Sequence, residues 1–263
     1  MPKPELRVIE ASFAGRADFG TGVSAALMRR VARGELAPTM RLHRTGAILA
    51  FGRLDKLRPG YRRAVEIARA HGYEPIERLA GGRAAVFHEG SISFSRATRE
   101  RSANAGTRTR FGEMAETVAA ALGRLGVDGR VGEVEGEYCP GGYSVNARGE
   151  VKLAGIGQRV ITAGAHVGGV LVVRGAGRIN DVLVPVYEAL EIDWRPETTG
   201  SVAAELGEDD ATHPAGEDDP LIERVIGALR EELSERFELV EAELDEATLR
   251  YAAELRDQHA APA

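Results

Sequence analysis

The chain has 263 residues, enough for one large domain, or one domain with a small appendage, around a substantial hydrophobic core. Hydrophobic residues make up 43% and charged residues 28%, and a net charge of -6 offers no basic surface to a nucleic-acid partner. The same acidity repels phosphate and anionic lipid, and repels acidic partner domains unless a local basic patch steers them.

The start MPKPELRVIEAS has no apolar core of signal-peptide length. Leu6 to Ser12 reads as a short strand. Gly22 to Arg33 has helical spacing, with Val23, Ala26, Leu27 and Val31 on one side and arginines on the other. Gly34 is its stop. Met40–Arg44 and Ala47–Phe51 read as two strands joined by a turn at Thr45-Gly46. A helix is expected from Tyr61 to His71, then a strand from Tyr73 to Arg78. After the glycine turn at Gly81-Gly82, Ala84–His88 and Ser91–Ser95 read as strands joined by a hairpin-type turn at Glu89-Gly90.

Arg96 to Arg110 is arginine-rich and reads as a surface loop. Phe111 to Leu125 is an amphipathic helix. Tyr143–Asn146, the turn Ala147–Gly149 and the strand Val151–Val160 follow, then a strand from Ala165 to Val173. That run is apolar but far short of the ~20 residues of a membrane span. Asn180–Leu190 is helical only with a kink at Pro185. The domain reading is a catalytic domain over 1–206, an acidic loop or linker over 207–220, and a helical segment over 221–263. Strands with interspersed helices argue for an α+β fold, not a doubly wound one.

The stretch Glu137 to Val173 concentrates the chemistry. It holds Cys139, the single cysteine, in a Cys-Pro-Gly-Gly loop. A lone cysteine forms no internal disulfide, so a cytoplasmic location is expected. One Cys and six scattered His lack zinc spacing, so no metal site is expected. Most lone cysteines are small buried hydrophobes. The glycines after Cys139 put it in a loop instead, open to substrate and rich in backbone N–H donors. Lys152 is either a solvated strand lysine or an ammonium aimed at a carbonyl or phosphate oxygen. Gly155 and Gly157 thin the strand beside it. Gly81-Gly82 is either a plain turn or a loop over which a chain or phosphate passes. His88 is either a general base or, more commonly at such a place, structural.

Two blocks together resemble a known family. Arg78-Leu79-Ala80-Gly81-Gly82-Arg83-Ala84-Ala85-Val86-Phe87-His88-Glu89-Gly90-Ser91-Ile92-Ser93-Phe94-Ser95 is similar to the Arg-x-x-Gly-Gly-x-Ala-Val-x-x-Asp-x-Gly-x-x-Asn-x-Ser block of the lipoate–protein ligase A and octanoyltransferase superfamily. Cys139-Pro140-Gly141-Gly142-Tyr143 and Lys152-Leu153-Ala154-Gly155-Ile156-Gly157-Gln158 resemble its second block, Gly-x-Lys-x-x-Gly-x-x-Gln. The resemblance runs over about residues 6 to 200. It implies a biotin/lipoate ligase-like catalytic domain, a mixed and mainly antiparallel sheet flanked by helices.

It also implies site roles. Cys139 and Lys152 would be catalytic, and Arg78, Gly81, Gly82, His88, Gly155 and Gln158 would bind substrate. The branch moving octanoyl from the glycine cleavage H protein to lipoyl domains carries its cysteine in a Cys-Pro-Gly-x-Tyr-Asp loop. Cys139 matches that place, and Ser144 stands where the aspartate would be. The implied activity is transfer of octanoyl, or lipoyl, through a cysteine thioester with no cofactor. The donor would be the H protein or acyl carrier protein, and the acceptor a lipoyl domain of a 2-oxoacid dehydrogenase E2 subunit. Neither nucleic acid nor membrane is expected as a partner. The alternatives are an ATP- and Mg-dependent lipoate–protein ligase and a non-catalytic lipoyl-domain-binding protein.

Overall fold

The run Ser91–Arg99 (β6) sends Ile92 and Phe94 to one face and Ser93 and Ser95 to the other, the period-two pattern of a strand between two environments. In this computed structural model, which describes residues 2–100, 104–212 and 218–262, β6 lies inside an eight-stranded mixed sheet. The other strands are β1 (Glu5–Ile9), β2 (Thr39–Arg44), β7 (Gly129–Val131), β8 (Val145–Ala147), β9 (Val151–Ile161), β10 (Gly164–Val172) and β11 (Glu238–Glu241). Their order is β11-β1-β2-β6-β10-β9-β8-β7. From β2 to β7 every pairing is antiparallel, and the β1 pairings with β2 and β11 are parallel. A smaller sheet has β3 (Ile48–Phe51) between β4 (Glu74–Glu77) and β5 (Ala85–Phe87).

The apolar face of the large sheet, with Leu6, Leu42, Phe94 and Leu171, packs on α3 (Thr107–Arg124) and α6 (Pro220–Arg236). The opposite face is covered by α1 (Ala17–Arg33), against which α7 (Glu246–Leu255) packs. A Cβ at Gly22 would stand 2.6 Å from the Ala252 carbonyl oxygen, so the α1–α7 crossing requires glycine there. The small sheet has its own core with α2 (Tyr61–Ala70) and α4 (Ala176–Ala189). α4 runs through Pro185, whose missing amide leaves the Asp181 carbonyl without its helical donor.

The elements differ from the sequence expectations in five places. Thr45-Gly46 is not a hairpin turn: β2 belongs to the large sheet and β3 to the small one. Glu89-Gly90 likewise carries the chain from the small sheet to the large one. Alternation tells which face a residue takes but not which strand lies beside it. The piece Arg96–Arg110 is not a surface loop throughout, because β6 runs to Arg99 and α3 begins at Thr107; residues 101–103 lie outside the described set. Two of its arginines are drawn inward by ion pairs, Arg96 to Glu113 at 2.6 Å and Arg110 to Glu100, while Arg99 and Arg108 are exposed. The segment after 220 contains β11 as well as helices, and β11 joins the sheet beside β1.

The acidic stretch before α6 is not wholly exposed either. Asp219 is buried, caps α6 through the Leu221 amide at 3.0 Å, and takes the Arg174 guanidinium at 3.0 Å. Residues 213–217 of that stretch lie outside the described set. Among the described residues no helix is long and apolar enough to cross a membrane.

Candidate active site

The loop between β7 and β8 carries Cys139, and β9 carries Lys152. Both line one cavity with Arg78, Gly81, Gly82, Gly155 and Gln158, so these expected site residues come together. His88 does not. It is fully buried at the turn between β5 and β6, where its Nδ1 accepts the Gly90 N–H at 3.1 Å. Burial pushes its pKa down to about 4, with the Arg178 charge adding to the shift.

Cys139 sits at φ +44°, a left-handed conformation that costs a residue with a Cβ about 1–2 kcal/mol. The loop is held there from both sides. The Cys139 N–H donates to the Tyr187 hydroxyl at 3.0 Å, and that hydroxyl donates to the Ala84 carbonyl at 2.8 Å. On the other side Lys152 Nζ donates to the carbonyl oxygens of Tyr138 at 2.8 Å and Cys139 at 2.9 Å. The Cys139 Sγ accepts the Arg83 backbone N–H at 3.1 Å and faces Arg78 Nη1 at 3.5 Å. A Cβ at Gly82 would lie 2.9 Å from that sulfur, so only glycine leaves the thiol its place.

Lys152 is fully buried, and its three ammonium hydrogens are all engaged. The third goes to Glu137 Oε1 at 2.8 Å, and the charge also lies 4.7 Å from the Tyr138 ring centre. Glu137 is the hub of this cluster. Its Oε1 also takes the Ser144 hydroxyl at 2.5 Å and the Gly141 N–H at 3.3 Å, and its Oε2 takes the Val134 N–H at 3.0 Å. Gly155 makes room for the lysine stem, since a Cβ there would touch Lys152 Cε at 3.3 Å. Gln158 lines the cavity, yet its amide fastens the start of α3: Oε1 accepts from Arg110 Nε at 2.5 Å and Nε2 donates to the Thr107 carbonyl.

Sequence reasoning did not single out Glu137, Tyr187 or Ser144 as parts of the site's scaffold. Glu137 stood two residues before the cysteine, and a carboxylate beside a buried lysine was a usable signal. Tyr187 had none, because 48 residues separate it from Cys139.

A second cavity adjoins the first and shares Arg78, Phe87 and Gly169 with it. The first has a volume of about 320 Å³, the low end of small-molecule sites, and the second about 120 Å³. The second lies over Gly168, Ser95 and Arg41 of the row Gly157–Gly168–Ser95–Arg41, which crosses four neighbouring strands in register, and Gly157 at its end lines the first. Small residues on the strands of this row leave a trough under α1, walled by Ile48, Leu79 and Phe87. Its far end carries Arg41, His43 and His166. Arg41 is bonded to the Ala11 and Gly20 carbonyls and to Ser24, and burial lowers its pKa to about 9. Burial and the neighbouring arginines lower His166 to about 4 and His43 well below its ordinary value. Among the described residues no group of three His, Cys, Asp or Glu side chains is gathered to hold a metal ion.

The family model of the lipoyl protein ligase A/B catalytic domain matches residues 19–204. The octanoyl-[GcvH]:protein N-octanoyltransferase of Geobacillus kaustophilus is 30% identical over 187 residues, covering 69% of this chain and 65% of that protein. Its counterpart from Exiguobacterium sibiricum is 32% identical over 145 residues, covering 51% and 48%. The chain thus spans about half to two thirds of the curated relatives it matches. Among solved structures, lipoate-protein ligase A bound with ATP superposes with a TM-score of 0.71 at 19% identity, over 97% of this chain and 95% of the other. A bi-partite lipoate protein ligase from Thermoplasma acidophilum, described with its E2 lipoyl domain, gives 0.68 at 19% identity over 97% and 93%. These likenesses show a lipoate–protein ligase fold.

Proposed function

We propose, for a chain that belongs to the lipoyl protein ligase A/B catalytic domain family, that it is a cysteine-dependent acyltransferase moving octanoyl between protein-borne lysines. The observation that carries the reading is the setting of Cys139. Its sulfur lies in a substrate-sized cavity, against a backbone N–H and a guanidinium, on a loop pinned from both sides. The thiolate is the nucleophilic form of cysteine. Relatives named as octanoyl-[GcvH]:protein N-octanoyltransferases support the H protein as donor, and the ligase described with its E2 lipoyl domain supports a lipoyl domain as acceptor.

In the first half-reaction the Cys139 thiolate attacks the acyl carbonyl of the donor. The carbon–nitrogen bond to the donor lysine breaks, the released amine takes a proton, and a Cys139 thioester remains. In the second, the ε-amine of the acceptor lysine attacks that thioester, loses a proton, and frees the cysteine sulfur. Two steps of this kind need neither ATP nor a metal. Arg78 stands over the reacting sulfur, and among the described residues its Nε and Nη2 have no hydrogen-bond partner, so it is the cation best placed for the developing oxyanion. Lys152 reaches a substrate carbonyl only by giving up one of its three bonds, so its first role is to hold the Cys139 loop. The octanoyl chain would lie in the adjoining trough, where each buried CH₂ contributes about 0.8 kcal/mol.

The test is the intact mass of the chain after mixing with octanoyl-H protein in the absence of ATP. A gain of one octanoyl group that is absent from Cys139→Ala supports the reading. Full transfer activity in Cys139→Ala overturns it.

A further inference from the structure

Beside the Cys139 loop lies a turn whose composition folding does not explain. A 3₁₀ turn at Asp55–Leu57 leads into α2. Among the described residues no large apolar side chain is more exposed than Leu57 at 76%, and Leu54 follows at 54%. Around these leucines, residues 53 to 63 carry Arg53, Lys56, Arg58, Arg62 and Arg63 against one acid, Asp55, in a chain whose net charge is -6. Lys56 pairs with Glu77 and Arg63 with Glu66, while Arg53, Arg58 and Arg62 have no acidic partner among the described residues. Arg62 and Arg63 stand in the first turn of α2, which contains no acid. Cations there oppose the helix dipole, so their placement does not serve the helix.

The turn is tied to the catalytic loop. The Gly52 N–H donates to Asp55 Oδ2 at 2.7 Å, and Asp55 Oδ1 takes the Arg83 guanidinium at 3.5 Å. Arg83 in turn donates its own N–H to the Cys139 sulfur. A Cβ at Gly52 would fall 1.8 Å from the Gly82 carbonyl oxygen, so the two loops lie backbone to backbone.

We propose that the Arg53–Arg58 turn and the first turn of α2 form the docking face for an acidic, acyl-carrying protein domain. This rests on the reading of the chain as a transferase of protein-borne acyl groups. The exposed leucines supply an apolar centre, and the unpaired arginines steer and orient an acidic partner that the rest of the surface repels. A domain seated there has its acyl-lysine arm beside the cavity mouth.

The test uses the full chain with Arg53→Glu/Arg62→Glu and, separately, Leu57→Asp. Loading of Cys139 is read by intact mass from octanoyl-N-acetylcysteamine, a small thioester with no protein surface. Transfer is read with a lipoyl domain of negative net charge. Loading should stay within twofold of the unaltered chain, while KM for the lipoyl domain rises at least tenfold in each variant. In the arginine variant the salt dependence of KM should largely vanish. An unchanged KM in both variants overturns the docking face. Should the unaltered chain fail to load, the acyltransfer reading falls, and titration of the lipoyl domain by calorimetry decides the docking face alone. Binding weakened tenfold by the variants supports it, and binding they leave unaltered overturns it.

Discussion

The Ser144 hydroxyl and the Glu137 carboxylate meet at 2.5 Å, on the oxygen that also receives the Lys152 ammonium. The motif that the chain resembles carries an aspartate at the place of Ser144. Here the carboxylate on the lysine comes from position 137, and Ser144 is a donor to it. The pair is fully buried, and a charge left alone in such a place is costly. Glu137→Gln should therefore lower stability by about 3–5 kcal/mol, read as the shift in urea midpoint. A double change, Glu137→Ser with Ser144→Asp, should return most of that loss by restoring a carboxylate from the other side of the contact. No recovery in the double variant would mean that the Glu137 position itself, not the charge, is what matters.

Lys152 contacts the carbonyls on either side of the Tyr138–Cys139 peptide, so its removal should disturb the thiol before any substrate arrives. Lys152→Met keeps the apolar stem and removes three hydrogen bonds. Alkylation of Cys139 by iodoacetamide should slow by tenfold or more, together with acyl loading. A lysine that acted on the substrate carbonyl alone would leave alkylation at the unaltered rate, so the two measurements separate positioning from direct participation.

Much of this site was legible because it is written in the backbone. Gly82 and Gly155 appear as glycines because a Cβ would displace Cys139 Sγ or crowd the Lys152 stem, and such exclusions leave a fixed residue type. The alternation Ile92, Ser93, Phe94, Ser95 likewise marks the two faces of β6. What could not be read was pairing. β2 and β3 are adjacent in sequence and lie in different sheets, which depends on contacts made by β4, β5 and β6. Glu137 lies in the loop before β8 and Lys152 on β9, so their meeting depends on how that loop folds over the β8–β9 pair. The arginines of 96–110 misled for the same reason: Glu113 and Glu100, not water, solvate Arg96 and Arg110.

Arg78 is a separable contributor. Its Nη1 bonds the Arg83 carbonyl at 2.9 Å and faces Cys139 Sγ, and the guanidinium borders both cavities. Arg78→Lys keeps a charge but not the planar fork, and the shorter reach of an ammonium would not span both contacts. Acyl loading should fall by about 10²–10³-fold, the cost of losing one oxyanion donor. Thermal unfolding should move little, because no buried ion pair is broken. Loading within threefold of the unaltered chain would remove Arg78 from the chemistry.

Acid should unfold this protein before its carboxylates are the cause. His88 and His166 are each held neutral by burial, with pKa values pushed from the ordinary 6.5 down to about 4. A neutral form favoured by folding means that the unfolded chain binds more protons between those values. Stability is thus fully present above pH 6.5 and declines as pH falls towards 4, by roughly 3 kcal/mol for each histidine. His88→Asn keeps an acceptor for the Gly90 amide and removes one of at least three such titrations, since His43 is also held neutral by burial, so at most about a third of the decline between pH 6.5 and 4 should disappear. Urea midpoints measured across that window check it. A His88→Asn profile parallel to the unaltered one would mean that His88 is not protonated on unfolding there.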